Sequence, residues 1–226
     1  MNPVLKRLRF RRFSTVQLLV ALAVLLICAP FVEELEGGHL ILSVLFSLVL
    51  LAAVFAVANR KRTFAIALVL AVPAIAGRWI NHFRPDLVPA AVFLVCALLL
   101  LAFVIGHLLH FALSAPVVTM EVLCASISAY LMLGLTWTVA YWLVDQVTPG
   151  GAFAFNTGGG TQSMNGFTGF YFSFITLSTV GYGDITPVSR AARWLAAMEA
   201  MTGLLYVVVL IARLVSLYSS AKADDS

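Results

Sequence analysis

The stretch that decides the fold is Ser178-Thr179-Val180-Gly181-Tyr182-Gly183-Asp184, which lies between two long apolar segments. L-amino acids rarely adopt left-handed backbone angles, whereas glycine adopts them at little cost. Gly181 and Gly183 stand two residues apart. This spacing allows the backbone angles to alternate, so that successive carbonyl groups turn toward one side. The alternative interpretation is a glycine-rich turn without such an arrangement.

The chain as a whole is strongly apolar. Of its 226 residues, 62% are hydrophobic and only 11% are charged, which is far from the composition of a soluble domain. Runs of about 20 apolar residues are typical of membrane-spanning helices. The sequence therefore predicts an all-α membrane protein with six spans, at about 14–32, 39–58, 63–80, 87–110, 117–144 and 190–218.

Basic residues predict the orientation in the membrane, because cytoplasmic loops carry an excess of Lys and Arg. Five basic residues precede the first span, and three more lie at 60–62, between the second and third spans. The loop after the first span contains three glutamates. Both termini are thus predicted to be cytoplasmic. Arg78 and Arg84 are predicted on the outer side, against this rule. The first run could instead be a cleaved signal peptide, but it is long for one.

Cysteine and histidine residues give no sign of a metal site or of catalysis. The three cysteines lie inside apolar runs, and the four histidines have no ligand-like spacing. His107 and His110 lie one helical turn apart and could sense pH, although polar residues at the membrane interface are the simpler interpretation. The net charge of +4 reflects membrane orientation and does not indicate nucleic-acid binding. We expect no cofactor and no enzymatic activity.

Together with its flanks, the stretch resembles the pore module of the tetrameric potassium channels. The resemblance covers 117–218 and implies an outer helix, a short re-entrant pore helix at about 168–177, a selectivity filter and an inner helix. In that family four TVGYG loops surround one axis, and their carbonyl oxygens replace the hydration shell of the ion. The implied filter residues are Thr179, Val180, Gly181, Tyr182 and Gly183, with potassium bound at the first four.

The resemblance also implies residues that support the filter. Asp184 would bond Tyr171, where the family often has tryptophan, and Ser178 would belong to the same support. Some members have a glutamate where this chain has Ile175, so the control of filter stability must differ here. Because only one filter is present, a homotetramer is needed to close the ring.

Two further sets of residues lie on the inner helix. Gly203 matches a glycine at which family inner helices bend, and Val207, Ile211 and Val215 would face the central cavity at helical spacing. Plain packing is the alternative for these three. Glu199 should face protein, near Ser173 or Thr176, because a charge in lipid is costly. Glu121 and Arg213 lie at similar depth and could pair, unless each reaches separately toward the interface.

The chain is predicted to divide into a basic cytoplasmic tail, a four-span module, a linker, the pore module and a short cytoplasmic tail, at 1–13, 14–110, 111–116, 117–218 and 219–226. The four-span module resembles that of six-span channels, where the fourth span carries arginines that sense voltage. Between residues 87 and 110 there is no Lys or Arg. The fourth span therefore lacks the charges that usually sense voltage.

The function that the resemblance implies is passive, potassium-selective conduction across a cell membrane, without intrinsic voltage sensing. One alternative is a subunit of a potassium uptake transporter, a class that places four degenerate filters in one chain. Another is a non-selective cation channel, which would usually alter the tyrosine or a glycine of the filter. Membrane lipids and three further copies of the chain are the expected partners, and nucleic acid is not.

Overall fold

The computed structural model describes residues 3–33, 35–58, 61–84, 87, 89–156 and 164–224. Side chains are described at 15–32, 35–38, 40–58, 61–84, 87, 89–156 and 164–213. Within these ranges the chain forms seven α-helices and two short strands. In chain order they are α1 (Pro3–Glu33), α2 (Gly38–Ala56), α3 (Lys61–Phe83), α4 (Ala90–Ser114), α5 (Met120–Val147), β1 (Phe153–Phe155), α6 (Gly166–Leu177), β2 (Ile185–Pro187) and α7 (Arg190–Asp224).

Five helices of the described chain contain stretches long and apolar enough to cross a membrane. These stretches are Thr15–Val32, Lys61–Phe83, Ala90–Ser114, Met120–Val147 and Arg190–Arg213. The predicted second span corresponds to α2, whose apolar part, Leu40–Ala56, is shorter. A predominantly helical membrane protein is therefore confirmed, while the sixth span stays a prediction.

The ends of the helices differ from the predicted boundaries at both termini of the chain. α1 already begins at Pro3 and continues without a break into the first span, so the predicted 1–13 tail is helical from that residue. At the other end α7 continues to Asp224, through most of the predicted 219–226 tail. Arg78 likewise lies inside α3 and not in a loop. Hydropathy marks where lipid contact ends, and a helix can continue into water.

The connection between α4 and α5 also differs from the predicted linker at 111–116. α4 ends at Ser114 and α5 begins at Met120, so the break comprises residues 115–119. Ala115 is extended, with φ −69° and ψ 130°, because a residue that precedes proline is disfavoured in the helical region. Thr119 then caps α5 by accepting a hydrogen bond from the Val122 amide at 3.4 Å.

The first four helices pack directly onto the part of the chain that carries the decisive stretch. α4 packs along α5, and α1 contacts both α5 and α6. On α1, Leu18, Leu22 and Leu25 are fully buried and follow the three- and four-residue spacing of one helical face. The short helix α6 is therefore backed by α1 as well as by α5 and α7.

α6 packs against both α5 and α7. One short strand precedes α6 in the chain, β1, and another follows it, β2. β1 pairs with β2 in an antiparallel register that places Phe153 opposite Pro187 and Phe155 opposite Ile185. Phe153 packs edge-on against Tyr141 of α5 and Phe172 of α6, with ring centroids 5.5 and 5.2 Å apart. This aromatic cluster ties α5, α6 and the strands together.

Candidate functional site

The backbone of residues 179–183 alternates in the way that the glycine spacing predicted. Gly181 has a φ of 55° and Gly183 a φ of 81°, both in the left-handed region. Thr179 also has a positive φ, of 59°, and it is the only non-glycine residue of the described chain that does. The alternation of φ angles therefore starts at Thr179, two residues before Gly181, and the positions of the glycines alone could not have shown this. A non-glycine residue held there is strained, and such strain is found mostly at functional sites.

The Thr179 end of this stretch, which the predicted orientation places on the inner side, is anchored to the last turn of α6 by backbone carbonyls. The Ile175 carbonyl accepts the amides of Val180 and Gly181 at 2.8 and 3.2 Å. Ser178 donates its hydroxyl to the Phe174 carbonyl at 2.6 Å, and its amide bonds the same oxygen at 3.1 Å. Ile175, the position where a polar side chain was missing, thus contributes through its main chain.

The Asp184 end, which the predicted orientation places on the outer side, is held by side chains. The Tyr171 hydroxyl donates to Asp184 Oδ2 at 2.7 Å, which is the contact expected from the sequence. The other carboxylate oxygen, Oδ1, accepts the Ile185 amide at 3.0 Å. Asn156, which sequence reasoning missed, donates its side-chain amide to the Gly183 carbonyl at 2.8 Å and its backbone amide to the Asp184 carbonyl at 2.7 Å. Because Asn156 lies 27 residues before Gly183, no local pattern could have pointed to it.

The bond to Asp184 raises the pKa of the Tyr171 hydroxyl to about 12, with burial and the negative charge of Asp184 as smaller causes. An unperturbed tyrosine has a pKa near 10. The hydroxyl therefore keeps its proton, and remains a donor, throughout the neutral pH range.

A second carboxylate lies behind α6, where α5, α6 and α7 meet. Glu199 of α7 is completely buried, and its Oε1 accepts a hydrogen bond from the Ser173 hydroxyl at 2.6 Å. Its other oxygen accepts from the Tyr141 hydroxyl of α5. Ser173 also lies 2.7 Å from the Gly134 carbonyl. The predicted approach of Glu199 to Ser173 is confirmed, whereas Tyr141, a polar group within the run 117–144, was missed.

The family comparison adds an independent observation to this geometry. Residues 117–220, just under half of the chain, match a family model described as an ion channel. Two-pore potassium channel 4 of Arabidopsis thaliana is 40% identical over 57 residues, which are 25% of this chain and 20% of that protein. The voltage-gated potassium channel Kch of Escherichia coli (strain K12) is 54% identical over 37 residues, which are 16% of this chain and 9% of that protein.

The segment 117–220 is therefore similar to an ion channel family, and three of the chain's relatives are named as potassium channels. Protein LctB of Geobacillus stearothermophilus is a further relative, 47% identical over 45 residues, which are 20% of this chain and 33% of that protein. The chain thus spans about a fifth of the length of the first curated relatives that it matches. No solved structure matches the chain. The family model and the relatives named as potassium channels indicate a channel and not an enzyme, in agreement with the prediction from the sequence.

Within the segment 117–220, Gly203 allows α7 to approach the end of α6 closely. A Cβ atom at Gly203 would lie only 2.1 Å from the Leu177 carbonyl oxygen. α7 runs through this residue as one continuous helix. The observed role of Gly203 is therefore close backbone packing, and bending at this position stays a prediction.

The residues predicted to face a cavity lie on a largely uncovered helix. Val207 is 41% exposed and Ile211 is 55% exposed, while the side chain of Val215 lies outside the described residues. Leu204, Leu205 and Val208 are exposed to a similar degree. Val207 and Ile211 thus share their exposure with neighbouring residues of α7, and their place in a cavity wall stays a prediction.

The contact that Arg213 of α7 makes with the start of α5 differs from the prediction. Arg213 donates from Nη2 to the Ala115 carbonyl at 3.0 Å, where pairing with Glu121 was considered. The carbonyl is available because the break before α5 leaves it outside a helix. The Tyr206 hydroxyl also reaches α5, where it donates to the Ser126 carbonyl at 2.5 Å. Both bonds hold α7 against the start of α5.

Metal-binding and redox groups are not gathered anywhere in the part of the chain that the structure describes. No group of three or more His, Cys, Asp or Glu residues there is placed to hold a metal ion. The cysteines at 28, 96 and 124 are free. The Nδ1 atom of His107 lies 3.2 Å from the Phe103 carbonyl, in the preceding turn of α4. Main-chain carbonyls therefore remain the candidate ion ligands.

Proposed function

We propose that the protein is a passive, potassium-selective channel in which residues Thr179 to Gly183 of four chains form the filter. The observation that carries this proposal is the alternation of positive φ angles at Thr179, Gly181 and Gly183. Such alternation turns successive carbonyls the same way, as an ion-coordinating ring requires. In this proposal Val180 and Tyr182 also contribute carbonyl ligands, and potassium is the only bound ion.

Fourfold assembly is proposed because each chain supplies one filter. The span Arg190–Arg213 of α7 is apolar, yet only 11% of its most apolar window is buried within the chain. The filter side chains are similarly uncovered, with Tyr182 72% exposed. Neighbouring subunits around a central axis would cover both surfaces, and cyclic homo-oligomers are the usual way to do so.

The proposed location is a cell membrane, with both termini in the cytoplasm and α2 acting as the sixth span. The positive-inside rule supports this orientation through the basic residues before the first span and at 60–62. In this orientation α6 enters from the outer face as a re-entrant helix. Its C-terminal, partially negative end would point toward the inner cavity and favour a cation there.

Voltage sensing is not part of the proposed function. α4 contains no Lys or Arg between Ala90 and Ser114. One charge that crosses the membrane field contributes only about 2.3 kcal/mol per 100 mV, so steep gating needs several such charges per subunit. The comparison with a voltage-gated relative covers only 37 residues, too few to carry a sensor of four spans.

Two other functions are kept as alternatives, namely a subunit of a potassium uptake transporter and a non-selective cation channel. The complete TVGYG sequence and its presence once per chain favour the selective channel over both. A non-selective channel with this filter would pass sodium and potassium alike, and this difference makes ion flux the decisive measurement.

The test is ion flux through the purified protein in liposomes, followed by recording in a planar bilayer. We expect potassium and rubidium to pass and sodium to be largely excluded. We also expect no steep rise of conductance with voltage. Equal permeability for sodium and potassium would refute the filter assignment, and steep voltage gating that depends on α4 would refute the assignment of α1 to α4 as a non-sensing module.

A further inference from the structure

A cavity of about 380 Å³ lies between the four-span module and the beginning of α6. Its walls come from α2, α3, α4, α5 and the first residues of α6. The polar part of the lining comprises Ser43, Arg78, Asn81, His82, Gln146 and Asn165. A cavity of this size falls within the range of small-ligand sites.

Arg78 is the charged group of this cavity, and its environment is unusual. The guanidinium carbon lies 5.1 Å from the Phe46 ring centroid and 5.8 Å from that of Trp142. Its Nε atom is buried and has no hydrogen-bond partner. Aromatic faces attract a cation but cannot accept the in-plane N–H bonds of a guanidinium. The side chain is therefore held in place by the rings, with donor capacity left unused.

Among the residues that the structure describes, no carboxylate lines the cavity to balance this charge. The nearest acid in sequence on the α5 wall, Asp145, accepts the Ala152 amide at 2.7 Å through its Oδ1. Buried charges are normally paired, because an unpaired ion away from water is costly. The remaining polar residues of the lining, such as Asn81 and Gln146, can donate hydrogen bonds. The lining thus favours an anion.

The start of α6 adds to the positive potential of the cavity. Asn165 and Gly166 form part of the wall, and α6 begins at Gly166. The first amides of a helix have no partners within that helix and carry the positive end of its dipole. Helix N-termini and arginine together are a common combination for binding phosphate.

The geometry points to a binding site for a phosphate-class oxyanion in this cavity, with Arg78 as its main ligand. Arg78 lies five residues before the end of α3, at Phe83, so its side chain is near the membrane interface. A phospholipid headgroup and free phosphate share the required chemistry. The headgroup source rests on the membrane topology proposed above, but the site does not depend on conduction, so ion flux tests the proposed function separately.

An occupied site would act on the pore helix from its N-terminal end. Trp142, one of the rings beside Arg78, also packs against α6, since a Cβ atom at Gly169 would lie 2.2 Å from its Nε1. The bound anion would therefore connect α3, α5 and α6. We expect it to stabilise the packing of α6 without touching the filter.

The experiment measures anion retention by two probes, using wild type, Arg78→Gln and the control Arg84→Gln. Arg84 is exposed and lies six residues further along the chain, so its replacement removes the same charge outside the cavity. The first probe is phosphatidylglycerol retained from mixed phosphatidylglycerol and phosphatidylcholine vesicles, measured by native mass spectrometry. The second is inorganic phosphate added to delipidated protein in detergent, measured by thermal denaturation.

We expect Arg78→Gln to bind about tenfold to a hundredfold more weakly, as for the loss of a charge-assisted hydrogen bond, and Arg84→Gln to bind like wild type. Preferential retention of phosphatidylglycerol identifies the headgroup as the source. Stabilisation by phosphate without lipid retention identifies the free anion. Equal binding by wild type and Arg78→Gln with both probes would overturn the site.

Two further variants keep the test valid if Arg78→Gln does not fold. Gln146→Glu retains Arg78 and places a carboxylate in the cavity, so it should reduce retention of both probes by at least tenfold. Unchanged retention would contradict the site.

Asp86, which lies outside the described residues, is the acid of the α3–α4 connection. Increased anion binding by Asp86→Asn would mean that the chain supplies its own carboxylate, and would also overturn the inference.

Discussion

Two tyrosine–carboxylate pairs hold α6 and the stretch that follows it, and they differ chiefly in burial. Tyr171 bonds Asp184 at the outer end, in a half-buried position. Tyr141 bonds Glu199 behind α6, where both side chains are fully buried. The same chemical contact therefore occurs once beside water and once away from it. Since a buried group that loses its partner cannot turn to solvent, the rear pair should matter more for stability.

The two pairs also act on different parts of the structure. The outer pair joins α6 to the residue directly after the proposed filter, whereas the rear pair joins α5, α6 and α7. We therefore expect the outer pair to affect how long the filter conducts and the rear pair to affect whether the helices assemble. Both are secondary to the backbone of the filter itself, and the largest effect should come from changing that backbone.

Gly181→Ala should abolish selective flux. Alanine at a φ of 55° costs roughly 1 to 2 kcal/mol per subunit, and the added methyl group would disturb the carbonyl ring of the assembled tetramer. Gly106→Ala is the matched control, because a Cβ atom there meets no atom within 4 Å and the residue lies inside helix α4. Liposome flux with normal potassium selectivity in Gly181→Ala would contradict the filter assignment.

Gly203→Ala should have the next largest effect, because it separates the helices that the rear pair joins. A methyl group placed 2.1 Å from the Leu177 carbonyl oxygen must push α7 away from α6. Overpacking of this kind costs about 1 to 3 kcal/mol. We expect a lower midpoint of thermal denaturation in detergent, together with loss of tetramer. Gly106→Ala again serves as control, and equal midpoints for the two variants would show that the close approach is not needed.

Sequence reasoning reached the parts of this site that depend on local backbone chemistry or on the cost of a charge in lipid. The spacing of Gly181 and Gly183 predicted the alternating backbone, and the cost of an exposed charge predicted that Glu199 faces protein near Ser173 or Thr176, of which Ser173 is its partner. The resemblance to potassium channels supplied the contact between Tyr171 and Asp184. Each of these inferences concerns a residue whose backbone angles, charge or family contact allows few other structural roles.

The remaining features depend on contacts between distant parts of the chain. β1 and β2 have three residues each and lie 30 residues apart, so their pairing leaves no periodic pattern. Asn156 reaches Gly183 only because this pairing brings it there. The positive φ of Thr179 is similarly imposed by its surroundings, since threonine does not favour it. The predicted helix ends differ from the observed ones because hydropathy indicates only which residues contact lipid, and a helix can extend beyond them. The end of α4 is instead set by Pro116, which disfavours a helical conformation at Ala115.

Tyr141→Phe tests the buried pair directly. The substitution removes the donor to Glu199 and leaves a buried carboxyl oxygen without that partner. The expected destabilisation is about 1 to 3 kcal/mol, visible as a lower unfolding midpoint of the tetramer. Glu199→Gln keeps the shape and an acceptor oxygen, so its loss of stability should be smaller. A Tyr141→Phe protein as stable as wild type would remove the distinction between the two pairs.

Tyr171→Phe should give the smallest change in stability, about 0.5 to 1.5 kcal/mol, since water can replace the lost hydroxyl. Its effect should appear in single-channel recordings as an altered lifetime of the conducting state, with the ratio of potassium to sodium permeability nearly unchanged. The raised pKa of Tyr171, about 12, means that the contact is fully present below the unperturbed value near 10 and is lost as the pH rises through about 12. The difference between Tyr171→Phe and wild type should therefore be constant across the neutral pH range. A loss of selectivity as large as that of Gly181→Ala would instead mean that Asp184 holds the carbonyl ring itself, and the outer pair would then be the more important of the two.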